Sequence, residues 1–129
     1  MRLNLTTIEG GDSSGCQRVG GQIIQNFTEW KALWDEHSSI LSRQPDIPSV
    51  DFLKEIAIAY FAGEKQQSGH RVEIDSVEVQ ASSDLRDHTL VIKVRGQASA
   101  RLSSDVITQP YHIVRVPKVR FARANFEIL

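Results

Sequence analysis

The sequence predicts a mainly β fold: an antiparallel sandwich or partly open barrel of about seven strands with one packed α-helix at about residues 27–37. Three observations predict it. Apolar residues alternate with a period of two through most of the second half, only one segment carries helical spacing, and the connections between strand segments are short. A chain of 129 residues, 40% hydrophobic and 24% charged, is long enough to bury one core without disulfides or metals, so residues 1–129 are expected to form a single domain.

Residues 2–8 and 18–25 read as two extended segments. The Gly/Ser/Asp-rich run 9–15 between them has the composition of a turn or loop. The helix follows because Asn26 can cap its first amides, Glu29 stands three residues on as in a capping box, and Phe27, Trp30, Leu33 and Trp34 recur at helical spacing. That aromatic stripe is expected to face the sheet. Residues 38–49 hold Pro45 and Pro48 among several serines, predicting a connecting loop that wraps the surface.

From Glu55 onward Ile56, Ile58 and Tyr60 alternate with Ala57, Ala59 and Phe61, so both faces are apolar, as in a central strand buried on both sides. The polar run 63–69 interrupts it. Val72 and Ile74 then share one face while Val77 and Val79 take the opposite parity, which predicts a bulge at Asp75-Ser76. Residues 81–88 form the next turn, and Leu90, Ile92 and Val94 build the partner strand of an antiparallel hairpin. The Ser- and Ala-rich stretch 96–109 reads as a long loop, the kind of segment in which function concentrates. Pro110 opens a strand over 111–116, Pro117 closes it, and 119–126 is a last edge strand whose exposure would permit a homodimer.

Charge and hydropathy exclude several partners. Fifteen Lys and Arg against 16 Asp and Glu give a net charge of -1, without the basic excess that would neutralise a phosphate backbone, so nucleic acid is not expected. No apolar run approaches the roughly 20 residues of a membrane span, the longest being 56–62. The first residues also lack the apolar segment of a signal peptide, which places the chain in the cytoplasm by default, with an exported form whose signal was trimmed as the alternative. A lone Cys16 excludes an intramolecular disulfide and any thiolate cluster.

The sequence contains no His-Glu-x-x-His, no phosphate loop and no dinucleotide fingerprint, so no enzyme and no cofactor are expected. Gly10-Gly11 and Gly20-Gly21 read as turns or bulges. His37, His70, His88 and His112 show neither the i, i+4 nor the i, i+2 spacing of a metal pair, and each reads as a surface or hydrogen-bonding histidine. Cys16 reads as a small buried hydrophobe. An alternative class, an unrecognised hydrolase or small-ligand-binding barrel, would need His70, His112 and Cys16 to converge.

Three segments carry a family resemblance. They are Asp51-Phe52-Leu53-Lys54-Glu55-Ile56-Ala57-Ile58-Ala59 leading to Gly63-Glu64-Lys65; the polar run to Gly69 followed by Val72-Glu73-Ile74; and Thr108-Gln109-Pro110-Tyr111-His112-Ile113-Val114-Arg115-Val116-Pro117-Lys118. Over about residues 50–121 the chain resembles the C-terminal domain of the PrcB family, named for a small protein that associates with and stabilises a bacterial surface protease complex. Where that family usually carries Pro-Thr-Gly-Gly-Tyr, this chain reads Gln66-Gln67-Ser68-Gly69-His70. The resemblance implies a protein-binding domain whose partner is a protease or its precursor, contacted through Lys65, Gln66, Gln67, Ser68, Gly69, His70, Pro110, Tyr111 and His112. The family's own loop is similar to that of chagasin-like cysteine-protease inhibitors, so direct inhibition through residues 63–70 is the alternative, with Gln66, Gln67 and Ser68 as departures from that pattern. Such a surface requires the loop and the Pro110 segment to be neighbours.

Overall fold

The computed structural model describes residues 1–81, 88–103 and 106–129. In chain order its elements are β1 (Arg2–Leu3), β2 (Thr6–Gly11), β3 (Val19–Ile24), α1 (Phe27–His37), β4 (Glu55–Ala62), β5 (Ser68–Gln80), β6 (Thr89–Ser103), β7 (Tyr111–Pro117) and β8 (Arg123–Ile128). They form two four-stranded sheets, ordered β1-β5-β6-β8 and β2-β7-β4-β3. The architecture is a sandwich rather than a closed barrel, mainly antiparallel, with β6 and β8 as a parallel pair. No helix among the described residues is long and apolar enough to cross a membrane.

Parity along β4 sorts the molecule into layers. Ile56 and Ile58 point between the sheets, where they join Leu3, Ile74, Val77, Leu90, Ile92, Val94, Val114 and Val116 in one buried cluster. Ala57, Ala59 and Phe61 point the other way and join Cys16, Ile24, Trp30, Leu33, Trp34, Tyr111 and Ile113 beneath the helix. A strand apolar on both faces is what a three-layer arrangement requires. The alanines let α1 approach closely, and the larger Ile side chains fill the wider space between sheets.

The cap of α1 is as its sequence predicts: the Asn26 side chain accepts the Glu29 amide at 2.9 Å. Loop 38–49 does wrap the helix. The indole N–H of Trp30 donates to the Pro48 carbonyl at 2.8 Å and that of Trp34 to the Pro45 carbonyl at 3.1 Å, so each buried ring keeps its polar atom bonded. Phe27 departs from the expected stripe and is 58% exposed. His37, three residues after Trp34, completes the buried face instead.

Several boundaries are corrected. Glu9, Gly10 and Gly11, expected in a turn, finish β2, with Gly10 and Gly11 paired to His112 and Tyr111. The stretch 96–109 is not one loop, because β6 continues to Ser103, opposite Ser68. Backbone pairing with β5 holds this half of the hairpin, so no apolar alternation marks it. Strand β8 starts at Arg123, not at 119. Val119 and Phe121 lie in the crossing from one sheet to the other and pack on the inter-sheet core, which is why apolar residues precede the strand. The expected bulge near Asp75-Ser76 is present between Ile74 and Ser76. The turn expected at 81–88 lies mostly outside the described residues.

Candidate functional site

Backbone pairing places three segments together at one end of the sandwich. The main chain of Lys65 exchanges two hydrogen bonds with Thr108, at 2.7 and 2.8 Å, and the Ala62 amide donates to the Pro110 carbonyl at 3.0 Å. The Thr108 hydroxyl donates to the Gln67 carbonyl at 2.9 Å. On the other side, the Gln109 amide donates to the Asp12 carbonyl at 2.7 Å and the Ser14 amide to the Gln109 carbonyl at 3.1 Å. Residues 108–110 thus sit between loop 63–67 and residues 12–14. The adjacency that the surface required is present.

The loop is bracketed by two glycines in the left-handed region, Gly63 at φ +80 and Gly69 at φ +92. A Cβ on Gly63 would stand 2.4 Å from Val19 Cγ2, so both geometry and space require glycine there. Between these hinges Glu64 and Gln66 are exposed and Lys65, Gln67 and Ser68 half-buried, as is His70 just beyond Gly69. The hydrogen bonds across to Thr108 fix the backbone while leaving these side chains at the surface.

Pro110, Tyr111 and His112 are placed differently. Pro110 is buried, and Tyr111 and His112 are each 7% exposed. Alternation along β7 sends Tyr111 under the helix and His112 between the sheets. His112 Nδ1 accepts the Ile74 backbone amide at 2.8 Å, which leaves Nε2–H to donate to Thr7 Oγ1 at 2.9 Å. The ring thereby ties the two sheets together. Burial lowers its pKa below the ordinary 6.5, against the opposing charge of Glu73. These three residues are largely covered, and the more exposed side chains at this end of the sandwich belong to the loop.

Beside the loop a cavity of about 560 Å³ opens between β2 and β5. Gly10, Gly11 and Asp12 form one wall, residues 69–73 the other, and Tyr111 and His112 the floor. Composition gave no sign of the β2 wall, because its glycines read as a turn. His70 and His112 both line this cavity, but Cys16 lies in the helix-side core, so the three side chains do not converge. Burial pushes the Cys16 thiol up to about 12, reinforced by a hydrogen bond with Glu36 and by the charge of that carboxylate, against Ser14 and Arg18. Among the described residues no group of three or more His, Cys, Asp or Glu is placed to hold a metal ion.

A polar chain under the helix escaped the sequence reading. Ser14 Oγ accepts the Cys16 amide at 3.0 Å and lies 2.8 Å from His37 Nδ1; His37 Nε2 lies 2.9 Å from Glu9 Oε1, to which Tyr111 Oη also donates. One assignment satisfies every atom: Ser14 donates to Nδ1 and Nε2–H donates to the carboxylate. The order Ser, His, carboxylate is that of a hydrolase relay. Here Ser14 has no exposed surface, His37 is 4% exposed, and the serine oxygen already holds an amide, so no substrate carbonyl reaches it. Burial raises the Tyr111 pKa, and the hydrogen bond and charge of Glu9, with the charge of Asp12, act the same way. The chain anchors α1 to β2 and β7.

Fold and site together define a β-sandwich that covers one outer face with a single helix and sets a braced loop at one end. Residues 56–117 match the family model described as PrcB C-terminal. The matched segment runs from β4 to the end of β7 and contains the loop, the β5–β6 hairpin and residues 108–110. Comparison with curated proteins and with solved structures returned no match.

Proposed function

We propose that this chain is a non-enzymatic protein-binding domain, a partner of a protease or protease precursor, and that it makes contact through residues 64–70. The observation that carries the reading is the Lys65–Thr108 backbone pair, which joins two segments of the family match into one braced edge. A loop already fixed by its own hydrogen bonds loses little freedom on binding, so Gln66, Gln67 and Ser68 can offer donors and acceptors at low entropic cost. The PrcB resemblance supplies the protease context.

The test is co-purification of the tagged domain from lysate and envelope fractions of its own cells, beside a Gln66→Ala/Gln67→Ala variant with matching thermal unfolding. Recovery of a protease or its precursor by the unaltered domain, reduced about tenfold or more for the variant, is the expected result. Equal recovery by both would reject the loop as the contact. Inhibition of a cysteine or serine protease by the purified domain would instead favour the chagasin-like alternative, for which the Gly63 and Gly69 hinges are equally suited.

A further inference from the structure

We infer that β8 is a homodimer edge, pairing antiparallel with β8 of a second copy about a two-fold axis at Asn125. An unpaired strand edge is a template for another strand, and proteins commonly blunt such edges with bulges, short length or charged side chains; a glycine inside a strand weakens it as well. Three of the four edges here are short or interrupted in the backbone, whereas β8 carries charges of both signs, spaced to pair with a second copy. Strand β2 has a register break between Thr7 and Glu9, and β3 contains Gly20 at φ +130 followed by another glycine. On the outer side of the first sheet β1 is two residues long, and β5 beyond it is broken twice, between Ser68 and His70 and between Ile74 and Ser76. Strand β8 pairs with β6 without a break from Arg123 to Ile128, and among the described residues no strand lies beyond it.

The side chains say what fits that edge. Under a two-fold axis at Asn125, Arg123 faces Glu127 of the second copy, Ala124 faces Phe126, and Asn125 faces its own counterpart. Arg123, Asn125 and Glu127 are exposed, while Ala124 and Phe126 are half-buried toward the core. The outward face therefore gains two opposite-charge pairs and an amide pair; the inward face sets a small side chain against a large one. Ile128 and Leu129, 61% and 55% exposed, continue the strand toward Ala122 and Phe121 of the second copy. Charge and size are both self-complementary, which favours a second copy over an unrelated strand. The end of this edge adjoins the loop, since Ile128 lines a groove with Lys65 and His70, but the test reads self-association rather than capture of another protein, so the inference and the proposed function fail separately.

Sedimentation equilibrium of the purified chain, to about 1 mM, is the test. The expected result is a dimer that Arg123→Glu weakens about tenfold or more, by placing like charges across both symmetry-related pairs, and that Arg123→Glu/Glu127→Arg restores. Both positions are exposed, and thermal unfolding of each variant confirms that it folds. A monomer throughout the range overturns the inference. So does a dimer indifferent to Arg123→Glu, or one that the double exchange does not restore, since either requires a different contact.

Discussion

The two faces of the sheet β2-β7-β4-β3 are built by different chemistry. Toward the other sheet, the buried cluster is Leu, Ile and Val throughout. Toward the helix, aromatic and small side chains surround the chain from Cys16 through Ser14, His37 and Glu9 to Tyr111. The first face gains most of its energy from area removed from water, with His112 as a polar tie between the sheets at its edge. The second is high in stakes, because every buried polar atom there depends on a partner remaining in place. One consequence is positional: the apolar layer fixes how the sheets stack, and the polar chain fixes where the helix and residues 12–16 sit, which in turn hold residues 108–110 against the loop.

Matched substitutions test this difference. Ile58→Ala should cost about 4 kcal/mol through the cavity it leaves between the sheets. His37→Ala should cost about 3 kcal/mol, because it removes ring contacts and also strips a partner from buried Ser14. Denaturant unfolding measures both, and a cost below about 1 kcal/mol for His37→Ala would mean that the polar chain contributes no more than a surface contact. Tyr111→Phe, which keeps the ring and deletes one donor to the half-exposed Glu9, should cost about 1 kcal/mol.

The smallest expected effect is that of pH on the sandwich face. His112 is held neutral by burial, with a folded pKa below the ordinary 6.5, so the unfolded chain binds its proton first as pH falls. Its contribution is present above about pH 6.5 and is lost as pH falls below that value toward the folded pKa. Stability between about pH 7 and 5 should therefore decline more steeply in the parent than in His112→Gln, whose amide oxygen can still accept the Ile74 amide. Equal slopes would assign the acid sensitivity to other groups.

Legibility in the sequence follows the same division. Period-two alternation announced β4 as a strand buried on both faces, and the parity change at Asp75-Ser76 announced a bulge, because apolar burial writes itself into local spacing. Asn26, Glu29 and the Trp30, Leu33, Trp34 spacing marked the helix for the same reason. The second half of β6 was illegible, since a ladder held by backbone bonds needs no particular side chains. The polar chain was illegible too: Glu9, Ser14, His37 and Tyr111 are distant in sequence, and only the fold makes them neighbours. At the site, the resemblance drew attention to both the loop and the Pro110 segment, and the Lys65–Thr108 pair joins them. The residue types at Tyr111 and His112 gave no indication that β7 turns one toward the helix and the other between the sheets.

Amide hydrogen exchange on the domain alone and in complex with any protease that co-purifies with it locates the proposed contact most directly. Contact through the loop slows exchange at residues 64–70 and leaves exchange across α1 unchanged. Protection confined to the helix face or to the wall of β2, with 64–70 exchanging as in the free domain, would contradict it.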